Sequence, residues 1–174
     1  MVPALRGAND PAATRRPGEA APDGLEVSRL HEVQYRKVHL TRVPAAFSEG
    51  APTWLGQPIG SRSDGAADFA CDMELRVSPE GRALFRKSAI VTIGQPRHAG
   101  ESWVVPIEWR AATLAPLFPV FVGSLTIMAD RIAIDGHYAP PFGVVGVVLD
   151  RAVLAIAARA TARWFLAKVA LAVA

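Results

Sequence analysis

Between Val147 and Val173 the chain contains neither glycine nor proline, and alanine recurs throughout. Alanine is the best helix former and Gly and Pro the two worst, so this run predicts one helix of roughly 25 residues, about 38 Å long at a rise of 1.5 Å per residue. Directly before it stands "GHYAPPFGVVG", residues 136–146. Pro140 and Pro141 cannot donate to a strand ladder, Ala139 is pushed toward extended geometry, and Gly143 and Gly146 supply conformational latitude. The segment from Tyr138 to Gly146 therefore reads as a junction at which a last strand ends and the chain folds back to release the helix.

What precedes the junction reads as strands. "DFACDMELRV" sets Phe69, Cys71, Met73, Leu75 and Val77 on one face and Asp72, Glu74 and Arg76 on the other, a period of two. The turn "SPEG", residues 78–81, leads into "RALFRKSAIVTIG", with Phe85, Ala89, Val91 and Ile93 on one side, which makes a hairpin. "ESWVVPIEWRA" alternates Trp103, Val105, Ile107 and Trp109 with Val104, Pro106, Glu108 and Arg110. Pro106 requires an edge, a bulge or a local gap in pairing on its side. "LFPVFVGSLTIMADRIAIDGHYAPP" reads as two more strands joined by a tight turn near Ala129–Arg131, the second with Ile132, Ile134, Gly136 and Tyr138 on one face and Asp135 and His137 on the other.

The earlier part of the chain is less regular. Residues 25–43 suggest a strand, with Val33, Tyr35, Val38 and Leu40 as possible faces broken by Arg36 and Lys37. Residues 44–65 are rich in turn formers around Phe47, Trp54 and Leu55, and predict one or two short helices or an ordered loop capping a core. Residues 1–24 hold Pro3, Pro11, Pro17 and Pro22 and almost no large apolar side chains, so they are expected to form a disordered leader ahead of one domain over residues 25–174. Asp10, Glu19 and Asp23 argue against a transit peptide.

Composition narrows the function classes. The 19 Lys and Arg nearly balance 16 Asp and Glu, and no basic cluster occurs, so nucleic acid is not the expected partner. A single cysteine, Cys71, excludes an internal disulfide and a Cys-based zinc site and suits a reducing compartment. With no secretory h-region and no uninterrupted run of the ~18 to 20 apolar residues that a spanning helix needs, a cytoplasmic location is expected. His31, His39 and His98 show no HxH or HExxH spacing, and GxGxxG, GxxxxGK[ST] and GxSxG are absent, so neither metal nor cofactor is expected.

A strand, a short helical segment, a meander of antiparallel strands and one long closing helix follow the order of elements in the helix-grip fold. The sequence resembles the SRPBCC or START-like superfamily, which includes polyketide cyclase-like and lipid-transfer proteins, over roughly residues 33–174. The resemblance rests on "VVPIEWRA", "LFPVFVGSLTIMAD", "GHYAPPFGVVGVVLDRAV" and "ATARWFLAKVA", which look like the final strands and closing helix of actinobacterial-type members. It implies an α+β fold in which a curved antiparallel sheet wraps the C-terminal helix, with short helices after the first strand. It further implies a cavity between sheet and helix for an apolar or amphipathic ligand of the lipid, polyketide or isoprenoid class. It carries no fixed catalytic set, and fold analogy supplies no activity.

Within that frame Trp109, Phe121, Tyr138, Phe142 and Trp164 are the candidate ligand-lining residues, although aromatics equally make ordinary core. Arg110 and His137 are the weak catalytic candidates: one to hold a carboxylate, the other to act as acid or base in a cyclase-like enzyme. Alternation puts Glu108 and Arg110 opposite the Trp-bearing face and Asp135 and His137 opposite Tyr138, which favours solvent-facing cross-strand pairs. Cys71, on an apolar face, is expected to be inert core. In the helix, Val153, Ile156, Ala160, Trp164, Ala167 and Leu171 share a stripe. Arg151, Arg159, Arg163 and Lys168 have no acidic neighbour after Asp150, so they are candidates for a protein partner or an anionic membrane surface, or else a solvated flank.

Overall fold

The alternating segments pair into one antiparallel sheet closed by a C-terminal helix. The structure is a computed structural model and describes residues 28–48, 52–75, 85–112, 120–139 and 151–174. Strand β1 (Ser28–Tyr35) leads through a 3₁₀ turn at Leu40–Arg42, the short helix α1 (Val43–Phe47) and a second 3₁₀ turn at Pro52–Trp54 into β2 (Gln57–Ser61). Then come β3 (Ala67–Leu75), β4 (Phe85–Ile93), β5 (Arg97–Ala99), β6 (Ser102–Ala111), β7 (Val120–Ile127), β8 (Arg131–Ala139) and the helix α2 (Arg151–Ala172). The eight strands lie in the order β1-β8-β7-β6-β4-β3-β2, with β5 added beside β6. The proposed leader, the 78–81 turn and residues 140–146 of the junction lie outside the described residues.

Burial follows the period-two pattern of β3, β4, β6, β7 and β8. Phe69, Cys71, Met73, Ala89, Val91, Ile93, Val105, Ile107, Trp109, Phe121, Leu125, Ile132, Ile134 and Tyr138 are buried on the inner face, and alternate residues face outward. Pro106 sits in a gap in pairing. On its side β4 pairs only as far as Ile107 and β5 begins at Val104, so its missing N–H falls where no strand stands opposite. Its carbonyl accepts a hydrogen bond from the Gly94 N–H at 2.8 Å.

Three sequence expectations are corrected. In β1 the residues facing the core are Leu30 and the half-buried Glu32, while Tyr35 is 77 % exposed, so Val33 and Tyr35 lie on the outer side. The turn-rich 44–65 segment forms its short helices but also β2, an edge strand exposed at every residue and bulged between Pro58 and Gly60. In α2 the buried side is Ala158, Thr161, Ala162, Phe165, Leu166, Val169 and Ala170, continued by Val173 just beyond it, whereas Ile156 and Leu171 on the expected stripe are exposed. An alanine-rich helix has two apolar sides, and the one with more large side chains has more area to remove from water, so it turns inward.

Helix α2 touches β1, β8 and β3. Its middle is tied to β1 by Arg163 and Glu32, and its end is tied to the segment that follows β1 by the Val173 carbonyl, which accepts from the His39 N–H at 3.0 Å. The helix therefore runs in the same sense as β1, with its first turns toward the Ser28 and Tyr138 end of the sheet.

Candidate functional site

Strand register builds an aromatic row across the inner face. Trp109 on β6 stands directly opposite Phe121 on β7, Phe121 opposite Tyr138 on β8, and on the other side Val91 and then Phe69 continue the row. Trp109 and Phe121 are fully buried and stack with centroids 4.1 Å apart and planes 19° from parallel. Phe121 can lie flat because the next paired positions are glycines. A Cβ on Gly123 would sit 2.5 Å from its Cζ, and one on Gly136 2.7 Å from it. The helix and the 3₁₀ segment complete the cluster: Phe165 packs on Trp109 at 5.9 Å, Trp54 on Phe165 at 6.1 Å, and Phe47 edge-on to Trp54 at 5.7 Å.

Of the five lining residues expected from sequence, the fold thus brings together Trp109, Phe121 and Tyr138. Trp164 is half-buried at the edge of the core, with the Lys168 ammonium 5.7 Å from its ring centre, and Phe142 lies outside the described residues. Phe165, one position from Trp164, is the helix aromatic that meets Trp109. The signal for it was present in the spacing of Phe165, Leu166, Val169 and Val173, all large and all on one side.

This interior is strongly apolar. Trp54 donates its indole N–H to the Ala46 carbonyl at 3.0 Å, and Thr161 donates its hydroxyl to the Ala157 carbonyl at 2.9 Å. Trp109 Nε1, by contrast, is buried without a hydrogen-bond partner, alone in this among the described side chains. Such a group costs about 1–3 kcal/mol. Cys71 is inward-facing opposite Ala89, and its thiol is pushed up to about 12, first by burial and then by the charge of Asp72, against a smaller opposite pull from Lys168. Burial and the raised thiol fit the core role expected of Cys71 from its place on an apolar strand face.

The outer face carries the charges. Arg110 and His137, the two catalytic candidates, are exposed there, on the side of the sheet away from Trp109 and Tyr138. Asp135 accepts from Arg29 at 3.1 Å and lies 3.0 Å from His31 Nδ1; the Arg29 hydrogen bond chiefly, and that of His31, hold its carboxyl below the usual range. Arg62 joins Asp68 at 3.3 Å, donates to Thr92 at 3.1 Å and reaches Glu108 at 3.9 Å, while Thr92 donates to Asp68 at 2.7 Å. Arg29–Asp135, His31–Asp135 and Thr92–Asp68 join neighbouring strands, while Arg62, just beyond β2, reaches across the outer face to β3, β4 and β6.

Two of the basic helix residues find an acid within the chain. Arg163 donates to Glu32 at 2.9 Å and Arg159 lies 3.8 Å from it, with the Glu32 side chain only 12 % exposed. The expectation that they lack an acidic neighbour held along the sequence but not across it; the side chain of Arg151 lies outside the described residues. An open cleft of about 680 Å³ between Leu40, His98, Met128 and the β7–β8 turn exposes Asp130 and Arg131, which pair with each other at 3.7 Å. Among the described residues no His, Cys, Asp and Glu side chains converge as a metal site requires, and no helix is long and apolar enough to cross a membrane. No protein-family model matches the sequence, and no curated protein matches it.

Proposed function

We propose that the protein is a helix-grip, START-like module that binds a hydrophobic or amphipathic small molecule between its sheet and α2. The observation that carries this reading is the asymmetry of the helix over the aromatic row. Among the α2 residues whose side chains are described, from Ala155 on, those turned inward toward the Tyr138 end are Ala158, Thr161 and Ala162, and the large ones, Phe165, Leu166 and Val169, come later. Small side chains facing an aromatic wall suit a site whose shape is finished by an apolar guest, with few polar groups to orient it.

The strand positions support the same reading. β1 and β3 are five strand spacings apart in the sheet order, about 24 Å if flat at ~4.8 Å per strand, yet both touch one helix of ~10 Å diameter. A sheet that bends round the helix meets both. The element order, with short helices between the first two strands and a closing helix after a meander, is that of the superfamily the sequence resembles.

A cyclase-like activity on such a ligand would need polar groups other than Arg110 and His137, which lie across the sheet from it. The partner- or membrane-docking reading is favoured by one observation, the outward stripe of α2 on which Ile156 is 44 % and Leu171 67 % exposed. Leu171→Glu would abolish vesicle or partner co-sedimentation under that reading and leave ligand binding intact.

The test is native mass spectrometry of the purified full chain with organic extraction of what co-purifies. A stoichiometric apolar molecule is the expected result. A clean apo mass, with no thermal shift on adding sterols, fatty acids, quinones or polyketides, would sink the ligand-binding reading.

A further inference from the structure

Trp109 Nε1 is a hydrogen-bond donor inside an apolar wall, fully buried and unpartnered, while the comparable indole of Trp54 is satisfied by a backbone carbonyl. Resting on the ligand-binding reading above, we infer that the bound molecule presents an uncharged, acceptor-only oxygen, a ketone, quinone, ester or ether, to the indole N–H of Trp109, and that it is not a free carboxylate. Two lines of argument lead there.

The first is donor and acceptor balance. An indole N–H donates and cannot accept, so it needs an acceptor. A hydroxyl would meet that need but bring a donor of its own. The side chains shown against Trp109 are those of Val91, Phe121 and Phe165, none of which offers an acceptor for that donor. A carbonyl or ether oxygen satisfies Trp109 and leaves no new group unpaired.

The second is charge. An anion moved into an apolar interior needs a cation beside it. Arg110 flanks Trp109 in sequence but points to the other face, and His137 does likewise beside Tyr138. Arg159 and Arg163 are engaged with Glu32, whose own carboxylate lies on the inner side of β1 and would repel a second anion. The high thiol of Cys71, two strands from Trp109 on the same face, reports how poorly this interior tolerates negative charge, and burial there outweighs the pull of Lys168.

The test uses three probes of nearly one shape, acetylnaphthalene, ethylnaphthalene and naphthoate, titrated into the full-length protein and into Trp109→Phe. The wild type is expected to bind the ketone about tenfold tighter than the hydrocarbon, the scale of one buried hydrogen bond, and to bind naphthoate least. Trp109→Phe is expected to erase the ketone preference and to change ethylnaphthalene affinity by no more than about twofold, since the aromatic wall remains. In wild-type protein the ¹⁵N–¹H indole resonance of Trp109, assigned by eliminating those of Trp54→Phe, Trp103→Phe and Trp164→Phe, should shift with the ketone and not with the hydrocarbon. That readout holds even if Trp109→Phe fails to fold. A ketone preference that survives Trp109→Phe, an unmoved indole resonance at saturation, or naphthoate binding as tightly as the ketone overturns the inference while leaving ligand binding standing. Failure of all three probes to bind overturns it together with the reading it rests on.

Discussion

The two faces of this sheet are built from the same strands and do opposite things. On the inner face, side chains from β3, β4, β6, β7 and β8 are apolar, large and interlocked around Trp109, Phe121 and Phe165, and one indole N–H is left without an acceptor. On the outer face, one residue along each strand, Asp68, Thr92, Glu108 and Asp135 are joined to Arg62, Arg29 and His31 with solvent at hand. Outside, water and mobile side chains correct any imperfect pairing, so individual contacts matter little. Inside nothing can correct it, so every atom counts and an unmet polar group is informative. The comparison can be broken or sharpened by substitutions on each side.

The largest effect is expected at the glycine pair beneath Phe121. A Cβ on Gly136 would lie 2.4 Å from the Val122 carbonyl oxygen and 2.6 Å from the Gly123 Cα, so backbone and not merely a side-chain tip must move. Gly136→Ala is expected to cost about 3 kcal/mol, the upper range for overpacking, read as a lower urea midpoint. A loss under 1 kcal/mol would mean that the inner face is looser than its contacts imply.

Cys71 comes next and tests the apolar character of the interior by pH. Its thiol is raised from about 9 to about 12 in the folded protein, so the fold favours the neutral form. That contribution is complete below the unfolded value near 9 and is lost as pH rises toward 12, because the unfolded chain ionises first. From pH 8 to 10.5 the wild type should lose about 2 kcal/mol relative to Cys71→Ala over the same range. Parallel curves for the two proteins would show that the thiol is not so desolvated.

A smaller effect is expected where the two faces meet, at edge strand β1. Glu32 is an inward acid on an edge, the sort of residue that also discourages strand addition. It holds Arg163 and Arg159, both more than half exposed. Glu32→Gln keeps size and one acceptor but removes the charge, and with solvent screening discounted should cost about 1 kcal/mol by chemical denaturation. No change at all would mean that α2 is held by its apolar side alone.

These contrasts explain which parts were legible in the sequence. β3, β6 and β8 could be read residue by residue, because a strand with one buried and one solvated face writes its geometry as alternation. β2 and β5 have no buried face, so Gln57–Ser61 and Arg97–Ala99 leave no pattern to find. Spacing does not decide the inward side of α2, because alanine gives two apolar stripes and the adjacent aromatics Trp164 and Phe165 fall one on each. Trp109 was legible as a buried aromatic, but its unpaired N–H was not. Whether a donor meets an acceptor depends on what the fold brings within hydrogen-bonding reach, and the acceptor that serves Trp54 is a backbone carbonyl, identical in every residue.

The smallest effect is expected on the outer face, at Asp135. Its carboxyl is held below the usual range by Arg29 and His31, but its side chain is 41 % exposed and that of Arg29 73 %, so water and salt screen the pair heavily. Asp135→Asn should cost about 0.3 kcal/mol or less at neutral pH and low salt. Because the folded value is depressed, that contribution exists above the unfolded value near 3.9 and disappears as pH falls through the folded one. Wild type and Asp135→Asn should therefore differ slightly at neutral pH and converge as acid protonates the carboxyl in the folded protein. Added salt should shrink the difference further, as it would not for a loss of packing. A penalty of several kcal/mol, insensitive to salt, would mean that this exposed cluster holds β1 to β8 as firmly as the interior does, and the division of labour between the two faces would have to be abandoned.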